Sequence, residues 1–242
     1  MVEGQVRMVT SPTQKIYELV ELRDRTGVFR DRAHAGAVLA TMLGGFRGTE
    51  AIVLGVPAGG IPVAEVVAVQ LELPLDVLVV SKITLPWNSE AGYGAVAFDG
   101  TVRINERMVV SERLTDEVVR DGIANTRDKV VRRFKRLRGE KPFPDVSKRT
   151  VIVIDDGLAS GFTMGVGVEA VRNAGATDIV VAVPTGHSDT VRRAAREVQA
   201  VYCANIRSGF SFAVADAYED WYDVSEAEAM TLYRRFTGTK PH

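Results

Sequence analysis

The 242-residue chain predicts an α/β fold in which a central parallel β-sheet is flanked by helices, with a small C-terminal hood and an extra N-terminal helix. Two observations carry this reading. Residues 51–56, 75–80, 151–154 and 178–184 are short apolar runs rich in β-branched residues and without polar alternation. Such runs form strands covered on both faces. The segments between them repeat apolar residues at helical spacing, and strands alternating with helices imply parallel units of a single sheet. The expected organisation is a helical extension over residues 1–28 and one domain over 29–242, with its cap over about 205–242.

Composition narrows the classes. The formal net charge is -1 and the chain is 46% hydrophobic, so no basic field invites nucleic acid and a core of ordinary size is available. The single cysteine, Cys203, excludes an internal disulfide and any cysteine-rich metal site, which fits a reducing compartment. Residues 1–15 carry no apolar signal core, and no apolar run is long enough to span a membrane. A cytoplasmic protein is expected.

In chain order, residues 1–10 read as frayed. Ser11-Pro12 is a helix start, and Ile16, Leu19 and Val20 supply an apolar stripe that ends before Gly27. A second helix starts near Asp31, carries Ala35, Val38, Leu39 and Met42 inward, and stops at Gly44-Gly45. The strand over 51–56 runs into Pro57-Ala58-Gly59-Gly60, where a glycine pair lets backbone amides approach a ligand. The strand over 75–80 leads to Ser81-Lys82-Ile83, which puts Lys82 at a strand end. Residues 84–94, with Pro86, Trp87 and two glycines and without a period, read as a mobile loop. Asp99-Gly100 marks a hairpin turn between 95–98 and 101–104.

Residues 113–138 form a helix with a cluster of Arg and Lys towards its end. A solvated face explains that cluster better than nucleic-acid binding, given the near-zero net charge. After 178–184 come a helix over about 188–198 and a last sheet strand at 201–203. His187 reads as structural. Residues 205–224, which include Phe210, Phe212, Tyr218, Trp221 and Tyr222, form a cap, and 224–236 the final helix.

The most informative stretch is VIVIDDGLASGFTMG, residues 151–165. A buried strand runs straight into Asp155 and Asp156, then into a small-residue loop and a helix. Ser160, Gly161 and Thr163 suit a turn whose N–H groups face an anion, and the helix adds its unpaired N–H groups and positive dipole end. The two acids would repel that anion. Their partners are neutral hydroxyls or a divalent cation, so the ligand carries phosphate at one end and a diol nearby, as ribose 5-phosphate does.

Strand, two acids and Gly157-Leu158-Ala159-Ser160-Gly161-Phe162-Thr163 resemble the phosphoribosyl diphosphate (PRPP) signature of the type I phosphoribosyltransferases. Residues 29–236 are similar to that Rossmann-like family, most closely to its bacterial and archaeal group without an assigned acceptor. The resemblance implies transfer of the 5-phosphoribosyl group from PRPP to a nucleobase or other amine, with release of diphosphate. Asp155 and Asp156 then bind the ribose hydroxyls, and residues 157–163 wrap the 5-phosphate. Ala58, Gly59, Gly60 and Lys82 hold the diphosphate, and the loop over 84–94 closes on the substrate.

The same resemblance implies catalytic roles for Lys82, Asp155 and Asp156. Magnesium comes bound to PRPP, with no protein metal site, and the partners are small molecules and a second copy of the chain in a dimer, not nucleic acid or membrane. Two departures stand out. Position 58 is alanine where that loop often carries a basic residue. Position 159 is alanine where the 6-oxopurine enzymes carry a catalytic aspartate, so hypoxanthine and guanine are disfavoured acceptors. A PRPP-sensing regulator without turnover is the alternative; no helix-turn-helix pattern accompanies the match. Gly165-x-Gly167-x-x-Ala170 imitates a dinucleotide fingerprint but begins ten residues beyond the end of its strand, inside the helix, and is rejected on that ground.

Overall fold

The computed structural model describes residues 6–11, 14–209 and 211–238. The N-terminal part runs β1 (Val6–Ser11), β2 (Gln14–Leu19), α1 (Arg32–Met42), β3 (Ile52–Gly55), α2 (Gly60–Leu71) and β4 (Leu75–Val77). A middle segment follows with β5 (Val80–Leu85), β6 (Asn88–Ala97), β7 (Val102–Ile104), α3 (Glu106–Ser111) and α4 (Asp116–Arg138). The rest is β8 (Thr150–Ile154), α5 (Phe162–Asn173), β9 (Asp178–His187), α6 (Ser188–Ala194), β10 (Ala200–Arg207) and α7 (Glu226–Thr237).

Seven strands form one sheet in the order β1-β2-β10-β9-β8-β3-β4. From β2 to β4 all neighbours are parallel, and only β1 runs antiparallel on the edge. Strand β8 is therefore interior, between β9 and β3, and its side chains divide between two cores. Ile152 and Ile154 pack with Leu39, Ile61 and Ala64 of α1 and α2, while Val151 and Val153 pack with Met164, Val166 and Val171 of α5. All four are fully buried, which is why the run shows no alternation in sequence. A second sheet, β5-β6-β7, is antiparallel and lies against α4 and α5.

Helix starts follow local chemistry. Asp31 caps α1 by accepting from the His34 amide at 2.7 Å, and Thr115 caps α4 by accepting from the Val118 amide. In α4 the acids Asp116 and Glu117 stand in the first turn and Lys135, Arg136 and Arg138 in the last, the arrangement a helix dipole favours. Arg133 and Arg136 pair with Glu226, and buried Arg138 with Asp76. Much of the basic cluster thus serves the packing of α4 on α7 and β4.

The N-terminal helix expected from Ser11-Pro12 is replaced by strands. Ser11 ends β1, Pro12 lies outside the described residues, and Gln14–Leu19 is β2, parallel to β10. Ile16 and Leu19 are three residues apart, a spacing that a helix and a strand both allow. The residues between them decide. Tyr17 stacks on Tyr202 with ring centroids 4.3 Å apart, and fully buried Glu18 pairs with Arg23. Ile16 joins one core and Leu19 the other. Residues 6–10, expected to be frayed, are part of β1.

The loop expected over 84–94 is likewise mostly strand. Residues of β5 and β6 pair from Val80↔Ala97 to Leu85↔Asn88, with register shifts around Thr84. The glycines there permit close approach: a Cβ at Gly94 would lie 2.8 Å from the Arg103 carbonyl oxygen. The apolar run 75–80 is broken into β4 and the start of β5, so Lys82 belongs to the small sheet and not to the end of a central strand. The helix expected to reach Val198 ends at Ala194, and β9 continues through His187.

Because Tyr17 ties the N-terminal hairpin to β10, Tyr17→Ala is expected to lower the unfolding free energy by about 2 kcal/mol, the order for losing a half-buried stacked ring. Urea denaturation measures it, and a change below about 0.5 kcal/mol would show the hairpin to be dispensable to the sheet.

Candidate active site

The carboxyl ends of β3 and β8 lie side by side, since Gly55 pairs with Ile154. Two loops emerge there and touch. The Val56 amide donates to the Ile154 carbonyl at 2.8 Å, and the peptide between Pro57 and Ala58 is cis. A Cβ on Gly59 would sit 2.0 Å from Asp156 Oδ2, and one on Gly60 would sit 2.7 Å from the Ile154 carbonyl oxygen. No side chain fits between this loop and the acids, so the glycine pair is required by packing alone. It brings the first loop's backbone against the carboxylates.

The acids are held differently. Asp155 accepts the Asp156 amide at 2.9 Å through its own Oδ1. Asp156 accepts from Arg32 of α1, with Nε at 3.0 Å and Nη2 at 2.9 Å, both on Oδ2. Tyr218 donates its hydroxyl to the Asp156 carbonyl at 2.7 Å. Burial pushes the Asp155 carboxyl well above the usual carboxylate range, and the neighbouring Asp156 charge adds to the rise. Burial also raises Asp156, with the Arg32 charge pulling against it. Tyr218 is pushed well up by burial and by Asp156.

The small-residue loop is anchored from behind. The Leu158 amide donates to Thr185 at 2.9 Å and the His187 amide to Leu158 at 3.0 Å, extending β9 alongside the loop. The Thr190 hydroxyl donates to the Ala159 carbonyl at 2.7 Å, and Arg193 donates to that of Ser160 at 2.5 Å. With these carbonyls tied down from α6, the loop turns through Gly161 at φ 70° into α5. Ala159 and Ser160 are exposed, and the first-turn N–H groups of α5 lack intrahelical acceptors. The arrangement can take an anion at the helix start and hydroxyl donors at the acids, a few residues apart.

Residues 32–191 match the family model of a phosphoribosyl transferase domain. The chain belongs to the phosphoribosyl transferase family. Two Mycobacterium tuberculosis proteins provisionally named phosphoribosyl transferases, one from strain CDC 1551 and one from H37Rv, are each 35% identical to it over 209 residues, 86% of this chain and 47% of theirs. The chain thus spans about half the length of these curated relatives. The crystal structure of TT1426 from Thermus thermophilus aligns with a TM-score of 0.66 at 32% identity, over 86% of this chain and 98% of that one.

In this phosphoribosyl transferase domain, Gly59 and Gly60 lie against Asp156 and Asp155, and the 157–163 loop follows the acids directly. Lys82 lies on β5, exposed and opposite Ala95. Its stem lies against Gly92, which lines a cavity of about 300 Å³ with Arg103, Ser160, Gly161 and Phe162. His187 packs edge-on against Phe212 and caps α6, the structural role expected of it. Phe210 lies outside the described residues. Sequence reasoning missed the supports: Arg32, Tyr218, Thr190 and Arg193. Arg133, which reaches the Pro57 carbonyl at 3.4 Å, was also missed. Their only signals were a cation beside the α1 cap and polar residues three apart on α6.

Asp155→Asn tests the burial of the acids. A carboxyl whose folded pKa is raised binds more protons folded than unfolded, so wild-type stability falls as pH rises from about 4 towards the raised value. The Asn variant lacks that loss and can keep the acceptor for the Asp156 amide. Its Tm is expected to exceed wild type at pH 8, with the gap shrinking towards pH 4. A gap that does not change with pH, measured by calorimetry without ligand, contradicts the assignment.

Proposed function

We propose that this domain transfers the 5-phosphoribosyl group of PRPP to a nitrogen acceptor, a nucleobase or other amine, with diphosphate leaving. The observation that carries the reading is the meeting of two half-buried acids with an amide-rich loop and helix start at the end of β8. Asp155 and Asp156 accept from the ribose hydroxyls. The amides of 159–163 bind the 5-phosphate, and those of 58–60 face the diphosphate.

Displacement at the anomeric carbon develops positive charge on the sugar and negative charge on the leaving group. Carboxylates beside the sugar and amides beside the diphosphate favour both changes, and catalysis follows from interactions that strengthen in the transition state. Lys82 is proposed to add a cation at the diphosphate from the β5–β6 hairpin, with Ala58 supplying none.

Magnesium is proposed to enter bound to PRPP, whose oxygens suit its preference for hard donors. Among the described residues no group of three His, Cys, Asp or Glu side chains is placed to hold a metal ion. When bound, the ion would offset diphosphate charge. Ala159 stands where a base for 6-oxopurine acceptors is expected, which directs the search to adenine-type bases, pyrimidines and other amines.

Among the described residues no helix is long and apolar enough to cross a membrane, and we place the protein in the cytoplasm, acting in nucleotide metabolism as a dimer.

The test is a screen of acceptor amines with PRPP and magnesium, read as diphosphate release. Turnover with at least one acceptor is expected, and Lys82→Ala should lower kcat by about two orders of magnitude, with Ala58→Arg restoring part of it. Wild-type kcat in Lys82→Ala would remove the lysine from the mechanism. PRPP binding without diphosphate release for any acceptor would favour a PRPP sensor.

A further inference from the structure

We infer that Arg32 is a positioning residue for sugar recognition, fixing one oxygen of Asp156 so that the other is presented to a ribose hydroxyl. This rests on the proposed function and goes beyond it, because the role of Arg32 follows from neither the loop nor the acids themselves.

Arg32 is 5% exposed at the start of α1. Its Nε and Nη2 both donate to Asp156 Oδ2, and its Nη1 donates to the Tyr222 carbonyl at 2.8 Å. The guanidinium face lies 3.9 Å from the Trp221 ring centroid. All three nitrogens and one face are thus engaged by protein. An arginine so engaged is ill-suited to grip a phosphate and well suited to orient a carboxylate.

Asp156 Oδ1, in contrast, receives no bond from Arg32, and the side chain is 16% exposed. A carboxylate oxygen that the arginine leaves alone keeps acceptor capacity for a ligand hydroxyl, which would replace water there. Arg32 decides which oxygen that is. It takes Oδ2, the oxygen a Cβ on Gly59 would strike, and leaves Oδ1 available.

The second consequence concerns the hood. Tyr222 and Trp221 hold Arg32 from one side while Tyr218 donates to the Asp156 backbone. Three residues of the hood therefore converge on the orientation of one acid, two of them through Arg32. This links the segment after β10 to the orientation of Asp156.

The experiment separates orientation from mere structural support by changing the ligand as well as the protein. Binding of ribose 5-phosphate and of its 2,3-dideoxy analogue is measured calorimetrically for wild type, Arg32→Met and Arg32→Lys, with circular dichroism to check folding. Wild type is expected to prefer ribose 5-phosphate. Arg32→Met should weaken that ligand by roughly ten- to a hundredfold, the range for a charge-assisted hydrogen bond, and leave the dideoxy analogue unchanged. Arg32→Lys, which keeps the charge and loses the fork, should recover part of the preference.

If Arg32→Met weakens both ligands equally, or keeps the wild-type preference, the inference is overturned. If Arg32→Met does not fold, Arg32→Lys with an undiminished preference overturns it by itself. A wild-type protein that binds both ligands equally would instead overturn the diol reading of the acids, and the proposed function with it.

Discussion

Two carboxylates in succession at the end of a strand buried on both faces carry a desolvation cost that the neighbouring chain must offset. Several features of the fold follow from that constraint. Arg32 is drawn in from α1 to pair with Asp156, Asp155 turns back on the next amide, and Tyr218 completes the Asp156 carbonyl. The first loop can pass only as glycine, since any side chain at position 59 would displace the Asp156 carboxylate. The offset is incomplete, and both acids stay shifted upward. A protein selected for stability alone would have no reason to keep them.

The charge arrangement at the sheet edge is polarised along one line. Acids lie at the end of β8, while the dipole-positive start of α5 and the tied-down loop before it lie a few residues on. A ligand with hydroxyls at one point and phosphate at another fits this layout, and the reverse orientation would bring like charges together. The rigidity of the loop comes from outside it: Thr190 and Arg193 of α6 hold the Ala159 and Ser160 carbonyls and Thr185 of β9 takes the Leu158 amide, which leaves the amides of 159–161 for the ligand side. Preorganised donors of this kind need no rearrangement when charge develops.

Sequence pattern revealed the strand–acids–loop–helix layout of the candidate site better than it revealed the edges of the fold. Residues 151–163 are local: strand, acids, loop and helix start follow in order, so composition and spacing suffice. The partner of Asp156 was hidden because Arg32 lies 124 residues away along the chain, and a lone arginine beside a helix cap has many uses. At the N-terminus, Ile16 and Leu19 fit either one face of a helix or the two faces of a buried strand, and the choice fell to Tyr17 stacking on Tyr202, a contact with a strand near the other end of the chain. In residues 84–94 the glycines suggested looseness, whereas Gly94 is needed for close strand pairing against Arg103 and Ile104. Glycine marks a backbone requirement, and sequence alone does not say whether that is freedom or proximity.

The central claim is that a phosphorylated ribose lies across the end of β8. A crystal structure with ribose 5-phosphate tests it most directly. The account predicts the phosphate within about 3 Å of amide nitrogens in 159–163, and both ring hydroxyls on the carboxylates of Asp155 and Asp156, with Arg32 still on Oδ2. A phosphate bound elsewhere, or hydroxyls turned away from both acids, would contradict it.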